Sequence, residues 1–483
     1  MTDRAPVLVW LRDDLRLGDN PALDRACGAG APLILIYVLD TDGAGGRPLG
    51  GAARWWLAQS LKALSGAIAR RGGRLVLRSG SPRVVIPAIA RETGASLVTW
   101  NRRYEADGIA CDTAIKAELK ANGVAVETFS ANLLREPWTI ETQAGAPFKV
   151  FTPFWRAHGG LGEPRAALPA PSKLSDGSGD LLSERLDHWR LEPACPNWAA
   201  EFPGHWQPGE DGAKERLADF LDEDLPHYTG DRDRPDKAFT SRLSPHLRFG
   251  EISPVQIWHA GQHAAAARGE RGLAKFMSEV GWREFSYHLL FHWPKLASEN
   301  FQPRFDAFGW ADNAAALEAW QQGRTGYPLV DAGMRQLWRT GWMHNRVRMI
   351  AASFLVKHLL IDWRVGERWF WDTLVDADPA SNAASWQWVA GTGADAAPYF
   401  RIFNPVLQGE KFDPNGDYVR HWVPELAALP AEVIHAPWQN RRALEAVGIV
   451  LGRDYPEPVV DHARARARAL AALAATREAA GEH

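Results

Sequence analysis

A run of hydroxyl side chains around one arginine is the first segment of this chain suited to binding a charged ligand. It lies in a turn before Pro245 and consists of Thr240, Ser241, Arg242, Leu243 and Ser244. Clustered hydroxyls, backbone amides and an arginine form a cradle for a phosphate or pyrophosphate. The same residues also fit an ordinary Ser/Thr helix cap, and their spacing alone leaves both interpretations open.

A polar stripe on an otherwise apolar helix is the second such feature. Asn345, Arg348 and Ala352 recur at helical spacing and therefore share one face. Asp376 and Asp378 supply carboxylates that are able to pair with Arg348. A buried ion pair is weak evidence for stability. Structural pairing and the binding of a polar ligand are therefore equally compatible with this pattern.

Tryptophan is the third feature, because the chain contains 23 of them. A buried indole N–H needs a partner, and tryptophan suits stacking and electron transfer as well as packing. Trp386 and Trp388 are two positions apart, so on a helix they point in different directions. One of them can face the core while the other lines a pocket; two core tryptophans are the alternative.

The elements that must position these residues fall into three parts. The first alternates short apolar runs (7–11, 33–39, 74–77, 97–100, 124–129) with helix-like stretches (54–71, 82–93, 107–122), which predicts a parallel α/β sheet. No GxGxxG follows the first strand, which disfavours an NAD-type Rossmann domain. From about 131 to 206 proline and glycine accumulate, as in a long connector. Beyond it, helical patterns dominate (212–221, 254–267, 272–288, 313–322, 331–339, 344–360, 366–374).

Composition excludes several classes of protein. Apolar residues make up 46% and charged residues 23%, which is typical of a soluble globular protein, and no run approaches the ~20 apolar residues of a membrane span. Cys27, Cys111 and Cys195 fit a reducing cytoplasm and form neither a disulfide framework nor a zinc site, so no metal is expected. The formal net charge of −3 argues mildly against nucleic-acid binding but leaves room for a basic face.

Long stretches of the chain resemble the photolyase/cryptochrome family. They include WLRDDLRLGDNPAL, TSRLSPHLRFGEISP, WREFSYHLLFHWP, TGYPLVDAGMRQL and DADPASNAASWQWVAGTGADAAPYFRIF. RYEADG, LGGAARWWLAQSL and TPFWRAH resemble the bacterial class III branch of cyclobutane pyrimidine dimer photolyases. The resemblance implies a parallel-sheet, Rossmann-like antenna domain (1–130), an interdomain linker (131–205) and a helical FAD-binding catalytic domain (206–483).

The resemblance also implies a binding site for FAD in a U-shaped conformation. Tyr228 and residues 240–244 would hold the phosphates and the ribityl chain, and Asn345 would contribute to the same site. Arg348 and Asp376 would form a salt bridge beside the isoalloxazine ring, and Asp378 would accept from the ring edge. Asn382 would face the flavin N5. An amide there can both donate and accept, which suits the fully reduced flavin of a repair enzyme, whereas plant cryptochromes typically place Asp there.

A pocket for an everted pyrimidine dimer follows from the same resemblance. Trp282 and Trp388 match its two aromatic walls, and stacking on such walls contributes roughly 1–3 kcal/mol per base. Glu279 matches the carboxylic acid that hydrogen-bonds the dimer. The remaining matches are Asn345 and Met349 in the lining, and Arg346 and Arg232 as phosphate contacts, which position DNA without reading its sequence.

The resemblance further implies an electron-transfer route to the flavin and a light-harvesting antenna. Trp386, Trp363 and Trp310 match the family's tryptophan triad, which carries electrons from the surface to the flavin. The implied antenna is methenyltetrahydrofolate, as in class III relatives. Trp100, Asn101, Arg103 and Glu105 lie at the end of a strand-like run, where α/β sheets open a crevice. This chain then departs from the class I folate pattern at 107–108, and no antenna contact is assigned.

The implied function is light-dependent repair of cyclobutane pyrimidine dimers in single- or double-stranded DNA by a monomeric enzyme of the bacterial cytoplasm. A cryptochrome-type photoreceptor is the first alternative, disfavoured by Asn382, by the pair Trp282 and Trp388, and by a short C-terminal tail. A (6-4) photolyase is the second. Those enzymes carry His in the place of Asn345, whereas here His344 is one residue away and points elsewhere on the helix.

Overall fold

A five-stranded sheet organises the first 130 residues in the computed structural model, which describes residues 4–269, 271–395 and 400–479. Residues 396–399, which belong to the motif DADPASNAASWQWVAGTGADAAPYFRIF, lie outside the described residues. The elements are β1 (Val7–Leu11), α1 (Pro21–Gly28), β2 (Leu33–Leu39), α2 (Gly51–Ala69), β3 (Leu75–Ser79), α3 (Pro82–Thr93), β4 (Leu97–Asn101), α4 (Ala106–Ala121) and β5 (Ala125–Phe129).

The strand order is β3-β2-β1-β4-β5, and every neighbouring pair is parallel. Parallel neighbours require crossover connections, which the intervening helices supply. β1 is buried at all five positions, as expected for a strand covered on both faces. The predicted parallel α/β sheet is therefore confirmed.

The carboxyl end of β4 is occupied by internal contacts. The Trp100 indole donates to Asp112 at 2.8 Å, and the Asn101 amide donates to Asn20 at 2.8 Å. Arg103 pairs with Asp13 at 2.7 Å. These side chains hold together the loops that follow the strands.

The proline- and glycine-rich connector contains a helix that the sequence pattern did not indicate. α5 (Phe151–Gly159) is nine residues long and packs against a later helix, α10 (Leu273–His292). Pro153 lies in its first turn, where the missing N–H of proline breaks no helical hydrogen bond. A segment this short gives too few turns for a periodic pattern, so α5 is recognised from its packing.

The rest of the chain is helical, as predicted. Its helices are α6 (Glu210–Asp219), α7 (Tyr228–Asp231), α8 (Ser244–Arg248), α9 (Pro254–Arg268), α10 (Leu273–His292), α11 (Ala314–Gln321), α12 (Pro328–Thr340), α13 (Asn345–Ser353), α14 (Trp363–Thr373), α15 (Ser381–Ala390), α16 (Pro405–Phe412), α17 (Asp417–Trp422), α18 (Ala431–Ile434), α19 (Arg441–Ala446) and α20 (His462–Ala479). The helix expected over 344–360 ends as an α-helix at Ser353 and continues as a π-helical turn, Phe354–His358.

Packing divides the chain into two compact units. One comprises Met1–Pro226 with Ser241–Pro294, and the other comprises His227–Thr240 with Lys295–His483. In the second unit α15 packs against both α13 and α14. Gly366 makes the α14 contact possible, because a Cβ at this position would lie 2.1 Å from the ring of Trp386.

The boundaries of these two units differ from those of the three domains that the family resemblance implies (1–130, 131–205 and 206–483). The three domains remain a prediction. Among the described residues, no helix combines the length and the apolar character that crossing a bilayer requires.

Candidate functional site

Arg348 and Asp376 form a two-pronged ion pair in the second unit. The guanidinium donates to both carboxylate oxygens, at 3.1 Å and 2.8 Å, and its Nε donates to the main-chain oxygen of Met343 at 2.7 Å. The Asp376 side chain is 2% exposed. The pairing that the sequence allowed is therefore present, and it fixes α13 to the segment that follows α14.

Asn382 is held by a residue that sequence reasoning missed. Its side-chain Nδ2 donates to Oε1 of Glu367 at 2.8 Å and to the main-chain oxygen of Glu367 at 3.1 Å. Both side chains are buried. Because the Nδ2 of Asn382 donates to Glu367, its Oδ1 is the amide atom left to act as an acceptor. The contact joins α14 to α15, and no local signal in the sequence marks it.

Asp378 shapes the start of α15. Its Oδ1 accepts from the N–H groups of Ala380 and Ser381, at 3.0 Å and 2.7 Å. Its main-chain oxygen accepts from the N–H of Asn382 at 3.0 Å. Asp378 thus sets the first turn of the helix that carries Asn382, Trp386 and Trp388.

Trp386 and Trp388 differ in burial, as their spacing predicted. Trp386 is 2% exposed and lies against Phe370, with ring centroids 5.0 Å apart, whereas Trp388 is half-buried at the edge of the same core. The indole N–H of Trp386 is buried without a partner among the described residues. An orphaned buried N–H is uncommon in proteins and suggests a ligand or water beside it.

The other two tryptophans of the expected triad lie in the same unit. Trp363 is fully buried at the first turn of α14, and its Nε1 donates to Asn300 at 2.9 Å. Trp310 is partly buried against the same core cluster that contains Trp363 and Trp386. Its ring lies 4.5 Å from that of Phe308.

α13 begins with the residues expected to meet DNA. Asn345 is exposed at its first position, and Arg346 pairs with Asp233 at 2.6 Å. Met349 is partly buried, one turn further along. Arg232 lies near the same carboxylate, 3.9 Å from Asp233.

His344 caps this helix. Its Nδ1 accepts from the N–H of Arg346 at 3.2 Å, and burial lowers its pKa to about 4. A neutral imidazole is what a cap acceptor requires. His344 is therefore engaged as the N-cap of the helix whose first residue is Asn345.

The remaining residues expected to bind the cofactor divide between the two units. In the second, Tyr228 is buried at the start of α7, with the guanidinium of Arg232 lying 5.4 Å from its ring centroid. Thr240 ends the same segment. In the first unit, Ser241 to Ser244 lead into α8, whose N-cap position is taken by Leu243 without any side-chain cap. The alternative of an ordinary Ser/Thr cap is therefore not what this segment forms.

Arg242 has an unusual backbone. Its φ is +50°, a left-handed conformation that is uncommon outside glycine and that concentrates at functional sites. Its guanidinium lies 4.2 Å from the ring centroid of Trp206. Burial, with a smaller effect of Arg216, lowers its pKa to about 10, so the group stays charged at neutral pH.

α10 carries the two residues of the first unit expected to contact the dimer. Glu279 pairs with Lys275 one turn earlier, at 3.0 Å. Trp282 is half-buried, and its ring stacks on Phe151 of α5. Glu279 and Trp282 are three residues apart and so lie on neighbouring positions of one helix face.

Comparison with known proteins gives matches along nearly the whole chain. Residues 7–172 match the family model "DNA photolyase", and residues 276–475 match "FAD binding domain of DNA photolyase". A deoxyribodipyrimidine photo-lyase of Agrobacterium fabrum is 53% identical over 98% of both chains. The chain belongs to the DNA photolyase/cryptochrome family.

Members of the family with solved structures have the same fold. A bacterial class III photolyase from Agrobacterium tumefaciens matches with a TM-score of 0.96 and 53% identity, covering 99% of both chains. The family also contains cryptochromes: Arabidopsis thaliana cryptochrome-1 is 39% identical over 96% of this chain and 70% of its own length. The predicted fold class, an α/β domain followed by a helical FAD-binding domain, is confirmed.

The second unit fits the FAD that the family binds. Within the described part of the chain the buried indole N–H of Trp386 has no partner. The Nδ2 of Asn382 donates to Glu367, and its amide oxygen is a group suited to accept from the N–H of a flavin. The Arg348–Asp376 pair is charged, internally satisfied and 22% exposed at the arginine. Arg348 on α13 and Asn382 on α15 are thus polar side chains on two helices that otherwise contribute to an apolar core.

Proposed function

We propose that this protein is a deoxyribodipyrimidine photo-lyase, which splits cyclobutane pyrimidine dimers in UV-damaged DNA under blue light. The observation that carries the proposal is the 53% identity to a protein of that name over 98% of both chains. When bound, reduced FAD would supply the light-driven electron that allows the two carbon–carbon bonds joining the pyrimidines to break, and would take that electron back afterwards.

We assign the cofactor contacts as follows. Tyr228 and residues 240–244 hold the phosphates and the ribityl chain, and the Arg348–Asp376 pair supports the isoalloxazine ring. The support for this assignment is that the pair is fixed in place by its own hydrogen bonds. Asp378 accepts from the ring edge, and Asn345 contributes at the mouth of the site.

Asn382 controls which flavin state is favoured. Because the Nδ2 of Asn382 donates to Glu367, Oδ1 would be the amide atom left to accept from the N–H at the flavin N5. A carboxylic acid in this place would instead offer a proton. A fixed amide acceptor favours the reduced flavin that repair needs.

The damaged bases are bound by stacking and by one carboxyl group. In the first unit, Trp282 would stack on the dimer and Glu279 would hydrogen-bond it. In the second unit, Trp388 would stack on the dimer, and Asn345 and Met349 would contact it. A dimer is poorly stacked and poorly paired, so everting it costs less than everting intact bases.

Arg346 and Arg232 contact the DNA phosphates. Both lie near Asp233, so phosphate binding replaces one anionic partner by another. This exchange orients the DNA without selecting its sequence, and it allows single- and double-stranded substrates.

Trp386, Trp363 and Trp310 form the route that resupplies electrons to the flavin. This assignment is supported by their packing: Trp363 and Trp386 belong to one core cluster of the second unit, and Trp310 packs against it. We further propose a monomeric enzyme of the bacterial cytoplasm, with methenyltetrahydrofolate as its antenna.

The family relationship makes a cryptochrome-type photoreceptor the main alternative, since cryptochrome-1 is 39% identical to this chain. Asn382 argues against it. The other alternative, (6-4) repair, is disfavoured by Asn345, because the neighbouring His344 is committed to capping α13.

The direct test uses purified protein, reduced chemically, and UV-irradiated oligothymidine. We expect cyclobutane dimers to disappear under blue light and to persist in darkness. A (6-4) photoproduct substrate serves as the control and should be unchanged in both. Equal dimer loss in the dark, or none under light, would overturn the proposal, and an absorption spectrum reports flavin and any second near-UV chromophore.

A further inference from the structure

A column of stacked rings stands behind Trp282 in the first unit. The Phe151 ring lies face to face with the Trp282 indole, with centroids 3.9 Å apart and planes 10° apart. Trp155 follows at 6.3 Å and 11° from Phe151, and His158 stacks on Trp155 at 4.8 Å. Three of the four rings belong to α5, the helix within the connector.

α5 approaches α10 closely enough for this stacking because of Gly281. A Cβ at this position would lie 2.6 Å from the ring of Trp155, which is shorter than any normal carbon contact. The residue next to Trp282 therefore has to be glycine for α5 to keep its place. Further along the interface, Phe154 packs on Phe285, with ring centroids 5.2 Å apart.

One face of Trp282 is consequently covered by Phe151, and the ring of Phe285 lies edge-on to the indole with centroids 5.9 Å apart. Phe151 is buried, whereas the indole of Trp282 keeps part of its surface exposed. An indole without a neighbour can rotate about its side-chain torsions, and a stacked ring suppresses that rotation. Phe151 thus fixes both the plane of the indole and the side on which a base can stack.

We propose that Phe151 is a positioning residue for damage recognition, which holds Trp282 in the orientation that receives the everted pyrimidine dimer. This inference rests on the proposed function. Ordering a mobile side chain on binding weakens affinity by roughly 2- to 12-fold, so loss of the brace should weaken dimer binding by about this factor. Undamaged DNA does not use the wall and should be bound as before.

The experiment compares four variants of the full-length protein. Phe151→Leu removes the stacked ring, and Phe151→Tyr keeps it. Gly281→Ala displaces Trp155 and with it the column, while leaving Phe151 in the chain. Phe154→Leu is the matched control, because Phe154 lies on the same helix and is fully buried, yet its ring contacts are Phe148, His158, Phe285 and His288.

Three quantities are measured for each variant: the thermal midpoint, the Kd for oligothymidine with and without one cyclobutane dimer, and the repair yield per absorbed photon at saturating DNA. We expect Phe151→Leu and Gly281→Ala to lose several-fold affinity for the dimer alone, with Phe151→Tyr close to wild type. Phe154→Leu should lower the thermal midpoint without changing the ratio of the two Kd values.

Unchanged discrimination in Phe151→Leu would refute the role of Phe151, and so would equal loss in Phe151→Leu and Phe154→Leu, which would mean general destabilisation. If Phe151→Leu does not fold, the test uses Gly281→Ala and Phe151→Tyr instead. The ratio of their Kd values for DNA with and without a dimer then decides whether the stacked ring matters for damage recognition. Failure of the proposed function is separate, since it would appear as a wild-type protein that neither prefers the dimer nor repairs it.

Discussion

Removing the charge of Arg348 while leaving Asp376 in place is the perturbation for which the structure gives the clearest magnitude. The Asp376 side chain is 2% exposed, and both of its oxygens accept from the guanidinium. Breaking a buried pair by removing one partner costs about 3–5 kcal/mol, because a charge is left without compensation. An exposed ion pair contributes only ~0–1 kcal/mol to stability. The loss of stability on removing Arg348 therefore distinguishes a buried pair from an exposed one.

We therefore expect Arg348→Leu to reduce the free energy of unfolding of the second unit by about 3–5 kcal/mol. At ~2–4 °C per kcal/mol for a unit of this size, the calorimetric midpoint falls by roughly 6–20 °C. The FAD content of the purified protein should fall as well, since the same pair supports the ring in the proposed site.

The double variant Arg348→Leu/Asp376→Asn is the control. It removes the orphaned charge, so we expect it to be more stable than Arg348→Leu alone. Arg348→Lys should lie in between, because an ammonium cannot bind both oxygens in the fork geometry of a guanidinium. A midpoint for Arg348→Leu within about 2 °C of wild type, below the smallest fall expected here, or a double variant less stable than the single one, would refute this reasoning.

Two more predictions concern the second unit. Trp386→Phe should slow photoreduction but spare repair by chemically reduced enzyme, because phenylalanine is much harder to oxidise than an indole. Trp386 is buried against Phe370, so the smaller ring leaves space unfilled and should also lower the thermal midpoint somewhat. Time-resolved absorption and a repair assay check this, and loss of both activities would mean that Trp386 serves folding or flavin binding. Burial, with a smaller effect of Arg401, lowers the pKa of Lys357 to about 7, while the unfolded chain holds this proton up to pH ~10.4. The unfolded state binds more protons between these values, so stability should rise with pH there. Lys357→Met should abolish that part of the rise in thermal midpoint, and identical pH profiles would contradict it.

The sheet and the class of site could be predicted from the amino-acid sequence. Continuous apolar runs specify β1 and β2, because strands buried on both faces take apolar residues at nearly every position. The edge strands β3 and β5 are partly exposed and include polar residues; their place between helical stretches still indicated them. The pairing of Arg348 with an aspartate follows from helical spacing and charge. The motifs around Asn382, Trp386 and Trp388 are long enough to identify the family from the order of their residues.

Other features depended on contacts between residues far apart in the chain. Glu367 meets Asn382 only because Gly366 lets α14 approach α15, and the preference of this amide for one orientation follows from that contact. Phe151 lies in a segment with no periodic pattern, yet packing stacks it on Trp282, 131 positions later. Sequence patterns report which face of an element is buried, whereas the partner of each buried side chain is decided by how the elements pack, and this is why the supporting residues became visible in the tertiary structure.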